Sequence, residues 1–295
     1  MSDSIALKAY GKLNLLLDIV GKRHDGYHTL KSVFQSVSVY DMLTVTLTDD
    51  DKITIDCDDE SVPCDERNLV YKACTAFFEA TGKDFHGVNI LLEKNIPSMA
   101  GMAGGSADCA ATLVALNMLT EAELTEAQLC DIGEKLGADV PFCIVGGTVL
   151  CEGIGEILTP LPDLEECYFA VCKPEISIST PECYKKFDNM IITEKAKADD
   201  MIAALVVGDV DNIAKYLYNA LEYAADCSEI REIKEKMLEN DALGALMTGS
   251  GSAVFGIFDN KRDAKKCVKE LEDDYIFCKT LKPVPVGVEI IEHTL

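Results

Sequence analysis

With 295 residues, 48% of them hydrophobic and 26% charged, the chain is long enough for two domains, and its composition excludes intrinsic disorder. A formal net charge of −24 repels phosphodiester backbones and anionic bilayers, which argues against nucleic-acid or lipid-surface binding and leaves a small ligand as the expected partner. Thirteen cysteines without a C-x-x-C pair indicate neither a disulfide framework nor a zinc knuckle and suit a reducing cytoplasm. No apolar run reaches the roughly 18 to 20 residues of a membrane span, and the first residues lack signal-peptide design.

The first 60 or so residues alternate apolar and polar side chains, as in 42–47 and 53–57, and predict strands and hairpins. Within them, Lys8, Lys12, Lys22, Arg23 and Lys31 outnumber the acids as far as Gln35, a positive island where an anionic substrate could dwell; the following stretch to Glu66 is acidic. Helical spacing from Val70 to Phe78 stops near Gly82, and a strand is expected over 88–92. Ala107, Ala110, Ala111, Val114, Ala115 and Met118 predict a helix with a stripe of small residues, able to lie close to its sheet. A capping box at Thr125–Gln128 opens the next helix, which runs toward Gly137.

Strands are expected over 143–150 and 168–172, with the proline-bearing segment 158–162 as a domain boundary, giving domains of 1–158 and 159–295. Helices follow over 198–207, 212–225, 228–238 and 263–271, and strands over 253–258 and 286–291. The expected class is a two-domain α+β protein.

The strongest chemical signal is a glycine-containing loop between a strand end and a helix start: Pro97, Ser98, Met99, Ala100, Gly101, Met102, Ala103, Gly104, Gly105, Ser106 and Ala107, preceded by Lys94. Its glycines admit close backbone approach, and the helix N-terminus adds unpaired N–H groups and positive dipole, so it is suited to cradle phosphate; a merely structural turn with Ser106 as N-cap is the competing reading. Gly11-Lys12 and Gly21-Lys22 are followed by Leu13 and Arg23, which excludes a Walker P-loop. His24 and His28 have a metal-like spacing, but the Asp25-Gly26 turn between them breaks helical geometry and no third ligand is evident.

The loop resembles the P-x-x-x-G-L-x-x-S-S-[AS] motif of the GHMP kinase superfamily. Residues 9–14, 21–28, 136–142 and 152–156 resemble the branch that phosphorylates a cytidylyl-linked methylerythritol, and Thr248-Gly-Ser-Gly-Ser252 resembles the third GHMP motif. The resemblance implies a GHMP kinase fold, with an N-terminal ribosomal protein S5 domain 2-like domain, a C-terminal ferredoxin-like domain and the site between them. It implies ATP as phosphoryl donor at the glycine loop and a 2-hydroxyl as acceptor, in the non-mevalonate route to isoprenoid precursors. Lys12 and Asp139 would be the catalytic pair with Asn14 beside them. Tyr27, His28, Phe34, Thr180 and Tyr184 would hold the cytidylyl substrate, two aromatic faces sandwiching the base, with Thr180 as N-cap of a short helix. Mg²⁺ is expected, without identified ligands; Ala107 stands where the family has a serine, and Ala103 where it has a glycine. A mevalonate or homoserine type of GHMP kinase and a catalytically silent nucleotide-binding protein are the alternatives. No oligomeric state is implied.

Overall fold

The computed structural model describes residues 3–294. Two long strands, β1 (Ser4–Lys22) and β2 (His28–Leu47), form an antiparallel hairpin from Ser4 opposite Thr46 to Lys22 opposite His28. Register shifts after Tyr10, Asn14 and Ile19 twist the pair. Every residue of β1 from Ala9 to Leu17 is buried, because the strand is covered on both faces, so polar side chains on it sit in the interior.

β3 (Ile53–Cys57), α1 (Leu69–Thr81) and β4 (Val88–Glu93) add a parallel pair; Asn68 caps α1 at one end and left-handed Gly82 at the other. α2 (Gly104–Leu119) is buried almost throughout, its alanines and cysteine allowing it close to β1 and β2. α3 (Glu126–Glu134) begins at the expected Thr125–Gln128 capping box. Next come α4 (Val140–Val145), β5 (Thr148–Gly153) and β6 (Ile157–Pro160). The strand expected over 143–150 therefore divides: its first three residues close α4, and pairing to β2 begins at Thr148, past the Gly146-Gly147 turn.

The chain then enters a second sheet with β7 (Tyr168–Lys173), followed by α5 (Thr180–Phe187), α6 (Ala198–Val207), α7 (Val210–Lys215), the two-residue β8 (Tyr218–Asn219) and α8 (Ala220–Ala225). The single helix expected over 212–225 is thus broken, because Tyr218 and Asn219 pair with β1, and Asn219 caps the helix that follows. At α5, Ser179 is the cap and Thr180 the first helical residue, one position from expectation. α9 (Ser228–Glu239), β9 (Gly244–Met247), β10 (Val254–Phe258), α10 (Lys261–Leu271), β11 (Phe277–Leu281) and β12 (Val288–Thr294) complete the chain.

The second sheet has the antiparallel order β11-β7-β10-β9 with α9 and α10 against it, the 4-1-3-2 order of a ferredoxin-like unit. The first sheet has the order β12-β1-β2-β4-β3, with β5 and β6 extending from β2. A cut at 158/159 would fall inside β6, and β12 returns from the far end of the chain to pair with β1. Cys172 and Cys278, cross-strand neighbours on β7 and β11, form a disulfide that no sequence spacing announced. Among the described residues, no helix is long and apolar enough to cross a membrane.

Gly101 shows where the two halves meet. Its φ is +75°, and a Cβ there would run into the carbonyl of Thr248. Ala103, the N-cap of α2, holds φ +61° without glycine's freedom. A left-handed non-glycine residue costs about 1–2 kcal/mol, partly offset by ~0.4–1 kcal/mol from the more restricted unfolded chain. We predict that Ala103→Gly raises unfolding free energy by roughly 0.5–1 kcal/mol in urea titration, whereas Gly101→Ala lowers it by more than about 1 kcal/mol.

Candidate active site

A cleft of about 1150 Å³ lies between the sheets, with the 97–106 loop along its middle. The loop's carbonyls face the protein. Met99 O accepts from Ser252 N at 3.3 Å and Ala100 O from Ala253 N at 3.3 Å; Gly101 O accepts from Lys12 Nζ at 2.8 Å and Thr248 Oγ1 at 3.4 Å, and Met102 O from Lys12 N at 3.1 Å. With four successive acceptors turned away, the first turn of α2 meets the cleft with N–H groups that the helix cannot pair, an anion site by construction. The glycines have separate duties. A Cβ on Gly104 would meet Ile96 at 3.2 Å and Lys94 Nζ at 3.5 Å, on the protein side, while Gly105 faces only Leu69 at 3.8 Å.

Lys12 is buried on β1. Its ammonium donates to Asn14 Oδ1 at 2.6 Å, lies 4.8 Å from the centre of the Phe34 ring, and stands 3.8 Å from Asp139 Oδ2. Asp139 precedes α4, and its side chain is 35% exposed to the cleft while Lys12's is 4% exposed. An oxygen placed between the two could contact both at hydrogen-bond distance. Asn14 is fixed from both halves, its N–H donating to Thr248 Oγ1 at 3.0 Å and its Nδ2 to Ser32 Oγ at 3.2 Å.

At one end of the cleft, Val62, Pro63, Asn68 and Leu69 form a lobe beside Lys94, signalled in the sequence by no more than an apolar pair and a helix cap after an acidic run. At the other end stand Tyr27, His28, Thr180 and Tyr184. The expected pairing of Tyr27 with Tyr184 is not the one observed. Tyr184 stacks on His28, centroids 4.8 Å apart and planes at 28°, and Tyr27 is 61% exposed on the turn before β2. Burial raises the Tyr184 phenol far above its ordinary value, with the Asp139 charge adding to it. Phe34 packs edge-on against Phe142 under Lys12, so it supports the lysine rather than offering a free face. Thr180 Oγ1 shares a 2.6 Å hydrogen bond with Ser250 Oγ. Ala107 is buried and does not line the cleft, so its methyl is a core group.

Lys94 is more constrained than expected. It bridges Asp41 and Asp108, contacting Asp108 Oδ2 at 2.6 Å, and Asp41 also accepts the backbone N–H groups of Asn95 and Ile96 at 2.5 and 2.8 Å. This buried triad joins β2 to both ends of the loop. Asp108 Oδ1 is buried and without a partner among the described residues. Burial pushes the Asp108 carboxyl up to about 8; Lys94 opposes the shift and Asp41 adds to it. A carboxylate beside a stripe of alanines was the sequence signal for it.

The architecture and the glycine loop place the chain with the GHMP kinases, whose N terminal domain model matches residues 68–147 and whose C terminal model matches residues 201–276. A 4-diphosphocytidyl-2-C-methyl-D-erythritol kinase of Caldicellulosiruptor bescii is 44% identical over 268 residues, 90% of this chain and 93% of that protein. The kinase of the same name from Clostridium perfringens is 43% identical, with 91% and 94% covered. A crystal structure of 4-(cytidine 5'-diphospho)-2C-methyl-D-erythritol kinase superposes with TM-score 0.77 at 32% identity, covering 94% of this chain and 99% of that one. A homoserine kinase from Cytophaga hutchinsonii, with TM-score 0.76 at 21% identity over 99% and 98% of the chains, shares the fold. The chain belongs to the 4-diphosphocytidyl-2-C-methyl-D-erythritol kinase family.

The Asp108 shift has a measurable sign. Below the ordinary carboxylate range the group is protonated in both folded and unfolded chains; above that range only the folded chain retains the proton. The stability carried by that proton is lost as pH rises through about 8. Asp108→Asn has no such proton. We predict that from about pH 6 to about pH 9 the urea midpoint of the native protein falls relative to that of Asp108→Asn.

Proposed function

We propose that the chain transfers the γ-phosphoryl group of ATP to the 2-hydroxyl of 4-diphosphocytidyl-2-C-methyl-D-erythritol, in the non-mevalonate route to isoprenoid precursors. The carrying observation is the Lys12–Asp139 pair, 3.8 Å apart at the cleft, beside a loop with four successive carbonyls, Met99 to Met102, bonded to the protein. Names of relatives at 42–44% identity supply the substrate.

ATP lies with its adenine in the Val62–Leu69 lobe and its phosphates on the first turn of α2. The cytidylyl base occupies the Tyr27–His28–Tyr184 end, which puts the acceptor hydroxyl between Lys12 and Asp139. Phosphoryl transfer needs alignment and charge neutralisation more than covalent help. A carboxylate is a far weaker base than an alkoxide, so Asp139 takes the proton late, as the new O–P bond forms. Lys12 holds the attacking oxygen in line; its remaining bonds to Asn14 and Gly101 keep its ammonium from swinging toward solvent. The base slot requires His28 and Tyr184 to part, because rings with centroids 4.8 Å apart leave no gap for a third.

Mg²⁺ fits the oxygens present. Among the described residues no three His, Cys, Asp or Glu side chains converge, but Mg²⁺ in kinases takes one or two carboxylates with the phosphates completing its shell. The Ser106 hydroxyl, which adjoins the Gly137 turn and lines the cleft, would hold it together with the phosphate oxygens, and it would neutralise charge on the transferring phosphoryl. We infer a cytoplasmic setting from eleven free cysteines against one bonded pair, and functional units of 1–158 and 159–295, with β12 crossing back.

Mass spectrometry of ATP reactions with the cytidylyl substrate, mevalonate, homoserine and galactose tests the reading. Phosphorylation of the first alone is expected, and turnover confined to any other overturns it. Asp139→Asn retains size but loses the basic lone pair, so kcat should drop by about 10² to 10⁴ while ATP still binds. Lys12→Met should also slow turnover, and the double variant should be no slower than the worse single one, because both residues hold one oxygen. Near-normal turnover by Asp139→Asn would sink the mechanism.

A further inference from the structure

The exposed end of the cleft is tied across its mouth by one carboxylate. Asp188, which caps the C-terminus of α5, lies 2.7 Å through Oδ1 from His28 Nε2 and 2.5 Å through Oδ2 from Lys22 Nζ. Those two partners sit at the tip of the β1–β2 hairpin, and Asp188 belongs to the other half of the chain. Tyr184, Phe187 and Asp188 follow helical i, i+3, i+4 spacing, so one face of α5 grips one imidazole. Tyr184 covers its face, Phe187 meets it edge-on at 6.4 Å, and Asp188 takes a ring nitrogen. Only 10% of the His28 side chain is exposed.

We propose that Asp188 is a positioning residue that makes the site choose an amino-pyrimidine over an oxo-pyrimidine by fixing the tautomer of His28. The inference rests on the proposed cytidylyl substrate. An ionised carboxylate only accepts hydrogen bonds, so the nitrogen facing Oδ1 must carry a proton. An aspartate is ionised at neutral pH even at its ordinary value, so Asp188 is in that form with or without Lys22; Lys22 and then His28 only lower that value further. In a neutral imidazole with Nε2 protonated, Nδ1 is a bare acceptor. Among the described residues no group pairs with Nδ1, and His28 lines the cleft. Cytosine presents an amine donor at C4 and uracil presents a carbonyl; an acceptor on the protein attracts the first and repels the second. Without Asp188 the imidazole is free to adopt the other tautomer and donate from Nδ1, and the preference disappears.

The test uses the full-length chain with CDP and UDP as probes, so that it does not depend on turnover. Calorimetry on the native protein should show CDP binding about tenfold or more tighter than UDP. Asp188→Ala should bring the ratio to within about twofold, and Asp188→Glu should recover part of it. Lys22→Met, which removes the other arm of the tie, should keep the native ratio. In steady-state assays, Asp188→Ala should raise KM for the cytidylyl substrate while leaving kcat and the KM for ATP unchanged. Nitrogen-15 NMR of the imidazoles should show His28 protonated at Nε2 in the native protein and a tautomer mixture in Asp188→Ala. An unchanged CDP/UDP ratio in folded Asp188→Ala, equal loss of the ratio in Lys22→Met, or an Nδ1-protonated His28 in the native protein each overturns the inference. A native preference for CDP without phosphorylation of the cytidylyl alcohol would instead overturn the proposed activity and leave the role of Asp188 standing.

Discussion

Four consecutive peptide carbonyls, Met99 to Met102, must be satisfied away from the cleft before a phosphate can approach the backbone beside them. The donors come from both ends of the chain: Lys12 on β1 supplies two, and residues 248–253 in the ferredoxin-like half supply three. A buried acceptor left unpaired would cost on the order of 1–3 kcal/mol, so the pairing holds the loop as firmly as the loop holds its ligand. The same ammonium that takes the Gly101 carbonyl reaches toward Asp139. One side chain thereby ties the shape of the loop to the position of Asp139 across the cleft, a reason for a buried lysine in β1.

Beneath the loop, charge is balanced by burial rather than by solvent. Lys94 between Asp41 and Asp108 would leave one net negative charge in the interior if both carboxyls were ionised, and the proton retained by Asp108 removes it. Burial alone would lower the Lys94 ammonium, but its contacts with Asp108 and Asp41 outweigh burial and keep the group charged. The result is a locally neutral base under the glycine loop in a protein of net charge −24.

The parts that were legible in the sequence were those written locally. Alternation disclosed the first strands, the capping box disclosed α3, and the loop with its following helix disclosed the cradle. Lys12 and Asp139 were expected as a pair from the family resemblance of their segments, and the structure places them 3.8 Å apart although they lie far apart in the chain. What was hidden depended on register and on third elements. The continuous helical spacing of 212–225 gave no sign that β1 would capture Tyr218 and Asn219. The Cys172–Cys278 bond joins residues 106 apart through strand pairing alone. His28 is claimed by Tyr184 and Asp188 through the packing of α5, so Tyr27, the more conspicuous aromatic, is left in solvent.

The return of β12 to the outer side of β1 bears on how the protein is made. The strand that pairs with the Ser4–Ala9 edge of β1 lies far along the chain, at residues 288–294, so that edge stays unpaired until the later strand has been made. A long apolar strand with unpaired peptide groups is a template for pairing with other chains. Until the later strand has been made, β1 offers an open edge to other chains, and shielding by a chaperone would matter most during that interval.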